Sequence, residues 1–81
     1  MERLFVRAGR RDGVSAGDLV GAIANEAGIP GRDIGAIDIY DNFSFVDVPR
    51  QSVQRVVDAL ERSGVRGRRV TVSIAEPVTA R

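Results

Sequence analysis

The sequence contains neither cysteine nor histidine. Their absence excludes disulfides, thiolate nucleophiles, imidazole bases and most transition-metal ligand sets. Catalysis would have to rely on carboxylates, serine, threonine or the single tyrosine. We therefore predict no catalytic residue, no metal site and no cofactor for this chain.

Long apolar runs are also missing. No stretch approaches the roughly 20 residues that span a bilayer. Charges flank the short apolar stretch of the N-terminal MERLFVRAG, which argues against a signal peptide. We expect a cytoplasmic protein with no membrane partner.

Neither sign of charge is in clear excess, since 12 basic and 11 acidic residues give a formal net charge of +1. Nucleic-acid binding requires a basic patch, so the positions of the charges, rather than their sum, show whether such binding is plausible. Every basic residue is arginine, a side chain suited to phosphate forks and base stacking. A codon bias toward GC-rich arginine codons would produce the same composition.

The length of 81 residues predicts one small domain, which we place at 1–76, followed by a disordered tail at 77–81. Ser15 and Asp18 have the spacing of a capping box ahead of a helix over 16–27. Four segments alternate between aliphatic and polar or aromatic residues, as half-buried strands do. These predicted strands are residues 3–8, 36–40, 43–48 and 70–74.

The segment between the second and third strands predicts a hairpin. Asp41 and Asn42 would form its two-residue turn, since both tolerate positive φ. This turn places Asp38 opposite Phe45. After the hairpin, Pro49 ends the third strand and opens a second helix over 50–62.

The element order β-α-β-β-α-β predicts an α+β fold of the split βαβ type. Right-handed crossovers place the strands in the order 4-1-3-2, antiparallel throughout, with both helices on one face. Aliphatic side chains then face the helices, and the other sheet face stays open. That open face receives every aromatic residue of the chain: Phe5, Tyr40, Phe43 and Phe45.

Aromatic rings on an open sheet suit the stacking of nucleobases. Two other readings remain: the rings pack on one another, or the C-terminal tail or a partner protein covers them. A protein-interaction module of the same fold is therefore the main alternative function. A small hydrolase resembling acylphosphatases is a third, although Asn25, which would have to be catalytic, falls in a predicted helix.

Half of the arginines are predicted to converge at the end of the sheet near Phe43 and Tyr40. They are Arg7, Arg10, Arg11, Arg66, Arg68 and Arg69. Such an edge could hold phosphates while the rings stack on bases. Asp12 and Asp41 dilute the patch, and local Arg–Asp pairing is the alternative.

Two further patterns could suggest ligand sites. The glycines of GRRDG fit neither nucleotide-binding fingerprint, so we interpret this stretch as a turn that presents Arg10 and Arg11. Asp38, Asp41 and Asp47 share one hairpin but form no clustered ligand set for a divalent metal. Asp38 could instead accept a hydrogen bond from a base edge.

The segments LFVRAG (4–9) and DNFSFVDV (41–48) resemble the two short signatures of RNA-recognition-motif domains, which implies stacking roles for Phe5, Phe43 and Phe45. The longer signature departs from the motif, because Asp41 and Asn42 stand where it has a basic residue and glycine. The wider pattern more closely resembles the DbpA-type RNA-binding domain. Its segments are LFVRAGRRDG, SAGDLVGAIANEAGI, IGAIDIYDNFSFVDVP and RGRRVTVSIAEP.

Domains of that type occur at the C-terminal end of bacterial DEAD-box RNA helicases. The resemblance implies an RRM-like auxiliary module that anchors an ATP-dependent helicase on structured RNA, and we expect the isolated domain to be a monomer. A ribosomal RNA hairpin is the implied RNA partner, during ribosome assembly or cold adaptation. The helicase core would lie elsewhere in the parent chain, since no G-x-x-x-x-G-K-[ST] or D-E-A-D run occurs here.

Overall fold

A four-stranded antiparallel sheet carries two helices in the computed structural model, which describes residues 1–75. In chain order the elements are β1 (Glu2–Val6), α1 (Ala16–Ala27), β2 (Ile37–Ile39), β3 (Ser44–Val48), α2 (Val53–Ser63) and β4 (Val72–Ile74). The strands lie in the order β2-β3-β1-β4. The predicted α+β fold, strand order and antiparallel pairing are confirmed. The predicted tail at 77–81 lies outside the described residues.

The hydrophobic core fills the space between the helices and one sheet face. β1 contributes Leu4 and Val6, and β3 contributes Val46 and Val48, all fully buried. The helices add a second set of fully buried side chains: Leu19, Ile23, Val56 and Leu60. Alternation along each strand sends these aliphatic side chains inward, so the intervening side chains occupy the opposite face. No helix in residues 1–75 is long and apolar enough to traverse a bilayer.

The first helix begins and ends where the sequence predicts. The Ser15 side chain accepts a hydrogen bond from the Asp18 backbone N–H, and the Asp18 carboxylate accepts one from the Ser15 backbone N–H. This capping box satisfies amide groups that the first turn leaves free. The second helix differs from the prediction, because a 3-10 turn at Arg50–Ser52 precedes the α-helix.

Two turns differ from expectation. Outside glycine, Arg66 alone among the described residues has positive φ, so the Asp41–Asn42 turn forms without left-handed geometry. Arg66 and Gly67, with φ of 53° and 76°, instead make a tight hairpin in which Val65 and Arg68 exchange two 3.0 Å backbone hydrogen bonds. The fourth strand starts later than predicted, at Val72.

Candidate nucleic-acid interface

The open sheet face carries its side chains in rows that cross the strands. In one row Asp38 of β2 is paired with Phe45 of β3, which is paired with Phe5 of β1. The next row toward the hairpin turn contains Tyr40 and Phe43, joined by a 2.9 Å backbone hydrogen bond. The predicted hairpin register is therefore confirmed.

The aromatic side chains on this face form one cluster, which we call the aromatic cluster: Phe5, Tyr40, Phe43 and Phe45. Ring centres of contacting pairs lie 5.1–6.0 Å apart. None of the four belongs to the core between sheet and helices. Tyr40 is 47% exposed and the three phenylalanines are half-buried. The rings thus face outward, as predicted, and also pack on one another, which was one of the alternative readings.

The GRRDG loop lies directly against the hairpin turn that carries Tyr40 and Phe43. The backbone N–H groups of Arg10 and Arg11 donate hydrogen bonds to the carbonyls of Tyr40 and Asp41, at 2.7 and 2.9 Å. A Cβ on Gly9 would lie 2.7 Å from the Phe43 nitrogen and within contact of the Tyr40 carbonyl. Only glycine permits this approach, so the loop is held in a fixed position beside the rings.

A buried hydrogen bond also joins the chain just before the GRRDG loop to the sheet. The Ser44 hydroxyl, which is fully buried, donates to the Ala8 carbonyl at 2.6 Å. The Arg10 guanidinium donates to the Ile39 carbonyl at 2.8 Å. These bonds fix the loop to the start of β3 and the end of β2.

Three of the predicted phosphate-binding arginines lie around this loop, each beside a carboxylate. The N–O distances are 3.7 Å for Arg10–Asp41, 3.6 Å for Arg66–Asp18 and 3.5 Å for Arg68–Asp12. The arginine side chains are 68%, 58% and 55% exposed, respectively. The Arg–Asp pairing weighed as an alternative is therefore present, but in loose, exposed pairs that contribute little to stability.

The other three predicted arginines, Arg7, Arg11 and Arg69, are exposed. The Arg7 backbone N–H donates to the Thr71 carbonyl at 3.0 Å, so β1 and the chain leading into β4 lie side by side at this end of the sheet. RNA contact by any of the ten predicted site residues stays a prediction.

Sequence reasoning missed Arg3. Its guanidinium binds the carboxylates of Asp38 and Asp47, and its central carbon lies 4.8 Å from the centre of the Phe45 ring. The hydrogen bond to Asp38, followed by that to Asp47, raises the pKa of Arg3 above its usual value. A signal was present in the sequence, because the predicted strands place Arg3 on the same face as Phe5.

The Arg3 contacts involve two of the three aspartates that share the β2–β3 hairpin. Asp38 and Asp47 both bind Arg3, and residues 1–75 contain no group of three or more histidine, cysteine, aspartate or glutamate side chains placed to hold a metal ion. The Asp38 carboxylate, considered above as a partner for a base edge, already accepts a hydrogen bond from Arg3.

The sequence matches the model of a known family, described as the DbpA RNA binding domain, over residues 3–74. Among its curated relatives is an ATP-dependent RNA helicase DeaD of Haemophilus influenzae, 33% identical over 73 residues. An ATP-dependent RNA helicase DbpA of Bacillus subtilis is 32% identical over 73 residues. A DeaD helicase of Mycobacterium tuberculosis is 36% identical over 62 residues.

These alignments cover 90%, 90% and 76% of the present chain but only 12%, 15% and 11% of the three relatives. The similarity therefore concerns one small region of each helicase. Since the family model spans β1 to β4 without interruption, the chain belongs to the DbpA RNA-binding domain family.

Proposed function

We propose that this domain binds structured RNA by stacking unpaired bases on the aromatic cluster and by holding phosphates with arginines of the adjoining loops. The observation that supports this most directly is the position of all four aromatic side chains on the sheet face opposite the core. A large side chain left fully exposed forgoes roughly 1.5–3 kcal/mol relative to full burial, and these partly exposed rings forgo a share of that. A stacked base contributes about 1–3 kcal/mol, so RNA binding would offset that cost.

The loose arginine pairs support the phosphate contacts. Exposed ion pairs contribute about 0–1 kcal/mol, whereas phosphate oxygens accept short, charge-assisted hydrogen bonds from guanidinium groups. A phosphate can therefore replace Asp41 beside Arg10, or Asp12 beside Arg68, at small cost. The hydrogen bonds from the Arg10 and Arg11 backbone amides hold the loop in place beforehand.

We propose further that the parent protein is an ATP-dependent RNA helicase and that this domain anchors it on ribosomal RNA, in the cytoplasm, during ribosome assembly or cold adaptation. The relatives carry the helicase name, and this domain corresponds to a small share of their length. Anchoring by a separate module would concentrate the helicase on its substrate without altering its ATPase chemistry.

Titration of the 81-residue chain with a fluorescently labelled ribosomal RNA hairpin tests the proposal. Replacing Phe43 by Leu keeps an apolar side chain but removes the stacking ring, so affinity should fall about 5- to 150-fold, the equivalent of one base stack. Asp58→Asn serves as the control, because Asp58 lies on α2 and binds only Gln54 among the described residues. We expect that control to bind like the parent chain.

The salt dependence of the same titration tests the phosphate contacts. Each phosphate contact contributes about 0.7–0.9 to the slope of log affinity against log salt. Arg10→Gln should therefore reduce the slope by about one contact. Unchanged affinity in Phe43→Leu and unchanged slope in Arg10→Gln would refute this binding mode. Absence of any RNA binding would favour the protein-interaction module instead.

A further inference from the structure

Arg3 lies across one ring of the aromatic cluster. In the β1–β3 pairing Arg3 stands opposite Asp47, while Phe45 pairs with Asp38 in the neighbouring row. A side chain that reaches both carboxylates has to cross Phe45. The guanidinium does so, with its central carbon 4.8 Å from the ring centre.

Two carboxylates hold the guanidinium in this position. Arg3 donates to Asp47 at 3.0 Å through one terminal nitrogen and to Asp38 through the other. A planar guanidinium bound at both terminal nitrogens has a defined orientation, unlike a lysine ammonium at the same place. A base approaching Phe45 would have to displace both hydrogen bonds and the cation–π contact.

The other three rings of the cluster also contact Phe45. Phe5, Phe43 and Tyr40 meet it at interplanar angles of 60°, 74° and 83°, with ring centres 5.6–6.0 Å away. These rings meet Phe45 steeply tilted or edge-on, and the guanidinium lies over a face of the ring. Base stacking requires an open face, so Phe45 is a poor site for a base.

The other end of the cluster differs. Phe43 lies at only 31° to Phe5 and 33° to Tyr40, with ring centres 5.5 and 5.1 Å away, so these rings overlap in part as tilted, offset stacks. Within residues 1–75, Arg3 is the only cationic side chain that lies over the face of a ring, and that ring is Phe45. The Phe5, Tyr40 and Phe43 rings therefore have no guanidinium over a face, and a base could extend the stack that they form.

Charge divides the sheet face in the same way. Arg3, Asp38 and Asp47 together carry a formal charge of −1 from one cation and two carboxylates, which disfavours a phosphate backbone. The loop beside Tyr40 and Phe43 carries the exposed arginines. Stacking and phosphate contacts are thus both favoured at the loop end.

We infer that Arg3 closes Phe45 to nucleobases, so that bases stack only at the Phe5, Tyr40 and Phe43 end of the aromatic cluster. This inference rests on the proposed RNA binding. It assigns Phe45 a different role from Phe5 and Phe43, although the sequence pattern treats the three alike. Phe45 then supports the neighbouring rings and the Arg3 guanidinium.

Single tryptophans can test the closure directly, because the natural chain contains none. We would compare Phe45→Trp with Phe43→Trp, after confirming by thermal unfolding that each variant folds. Acrylamide, a small neutral quencher, measures access to the ring without RNA. Its quenching constant should be at least twofold lower for Phe45→Trp than for Phe43→Trp.

A charge-matched variant removes the closing group. Arg3→Gln combined with Asp38→Asn leaves the local formal charge at −1 but abolishes the bridge over the ring. In the Phe45→Trp background, this double change should raise acrylamide quenching to the level seen for Phe43→Trp. Equal quenching of the two single-tryptophan chains before the bridge is removed would overturn the closure.

The ribosomal RNA hairpin then tests the consequence for bases. Addition of this RNA should quench the fluorescence of Phe43→Trp but not of Phe45→Trp, and the double change should make the latter responsive. Likewise, Phe45→Leu removes a supporting ring but no stacking face, so it should lose less affinity than the about 5- to 150-fold expected for Phe43→Leu. RNA quenching of Phe45→Trp with Arg3 in place would refute the inference.

Failure of the proposed function would look different. In that case RNA would quench neither tryptophan, and Phe43→Leu would bind as the parent does, while the acrylamide result would still report whether Arg3 covers Phe45. Such an outcome would overturn base stacking at the loop end and, with it, the division of the face.

Discussion

Replacing Gly9 by alanine should separate the GRRDG loop from the hairpin it packs against. The added Cβ would lie 2.7 Å from the Phe43 nitrogen and 2.8 Å from the Asp41 carbonyl carbon. Both neighbours are backbone atoms, so no side-chain rotation can relieve the overlap. The loop has to move, which would break the hydrogen bonds from the Arg10 and Arg11 amides.

The magnitude follows from those two hydrogen bonds. Each contributes about 0.5–1.5 kcal/mol net, so we expect a loss of about 1–3 kcal/mol in the free energy of unfolding. For a domain of this size that corresponds to a Tm lower by about 4–24 °C. RNA affinity should fall as well, because Arg10 and Arg11 lose their fixed position beside the rings.

Urea denaturation followed by circular dichroism measures the effect. Gly21→Ala is the matched control, since a Cβ at Gly21 meets nothing within 4 Å and the residue lies inside α1. Alanine in a helix interior is favoured over glycine by about 0.5–1 kcal/mol, so this control should be more stable than the parent. A Gly9→Ala chain within about 0.5 kcal/mol of the parent, the range usual for surface substitutions that disturb nothing, would refute the reasoning.

Other predictions concern the Ser44–Ala8 hydrogen bond and the first helix. Ser44→Ala should lower the free energy of unfolding by about 1–3 kcal/mol in the same urea assay, since the Ala8 carbonyl loses its buried donor; an unchanged midpoint would contradict this. Hydrogen bonds from the Ser15 backbone N–H and then from the Ser15 hydroxyl lower the pKa of Asp18 below its usual range. A carboxylate whose pKa is lower in the folded state stabilises the fold when the pH is above its unfolded pKa of about 3.9. That contribution is lost as the pH falls through the folded pKa. The parent should therefore be more stable than Asp18→Asn by a full, constant amount at about pH 6, and this advantage should shrink below about pH 4. A difference in unfolding free energy that stays constant across that range would count against the capping role.

Local sequence patterns were sufficient for the element order and for the orientation of the side chains. The spacing of Ser15 and Asp18 predicted the start of α1, and alternation in β1 and β3 predicted which side chains turn away from the helices. Both signals depend on residues a few positions apart, where backbone geometry alone decides which groups share a face. The outward position of Phe5, Phe43 and Phe45 could therefore be predicted without coordinates.

Turn geometry was less predictable. The sequence favours a positive φ at Asp41 and Asn42, yet in the structure Arg66 and Gly67 have positive φ and those two residues do not. The first turn is supported from outside, by hydrogen bonds from Arg10 and Arg11 to its carbonyls. A sequence pattern cannot report such support, because the donors lie about thirty positions away along the chain.

By itself, then, the sequence determined the order of strands and helices, the aromatic face and the presence of arginines near one end of it. Tertiary structure alone decided which groups occupy that face together: the loop seated on the hairpin at Gly9, and the Arg3 guanidinium held across Phe45 by Asp38 and Asp47. Periodicity assigns a side chain to a face of the sheet. How far a long side chain reaches across neighbouring strands, and which carboxylates it meets there, depends on the register of three strands at once.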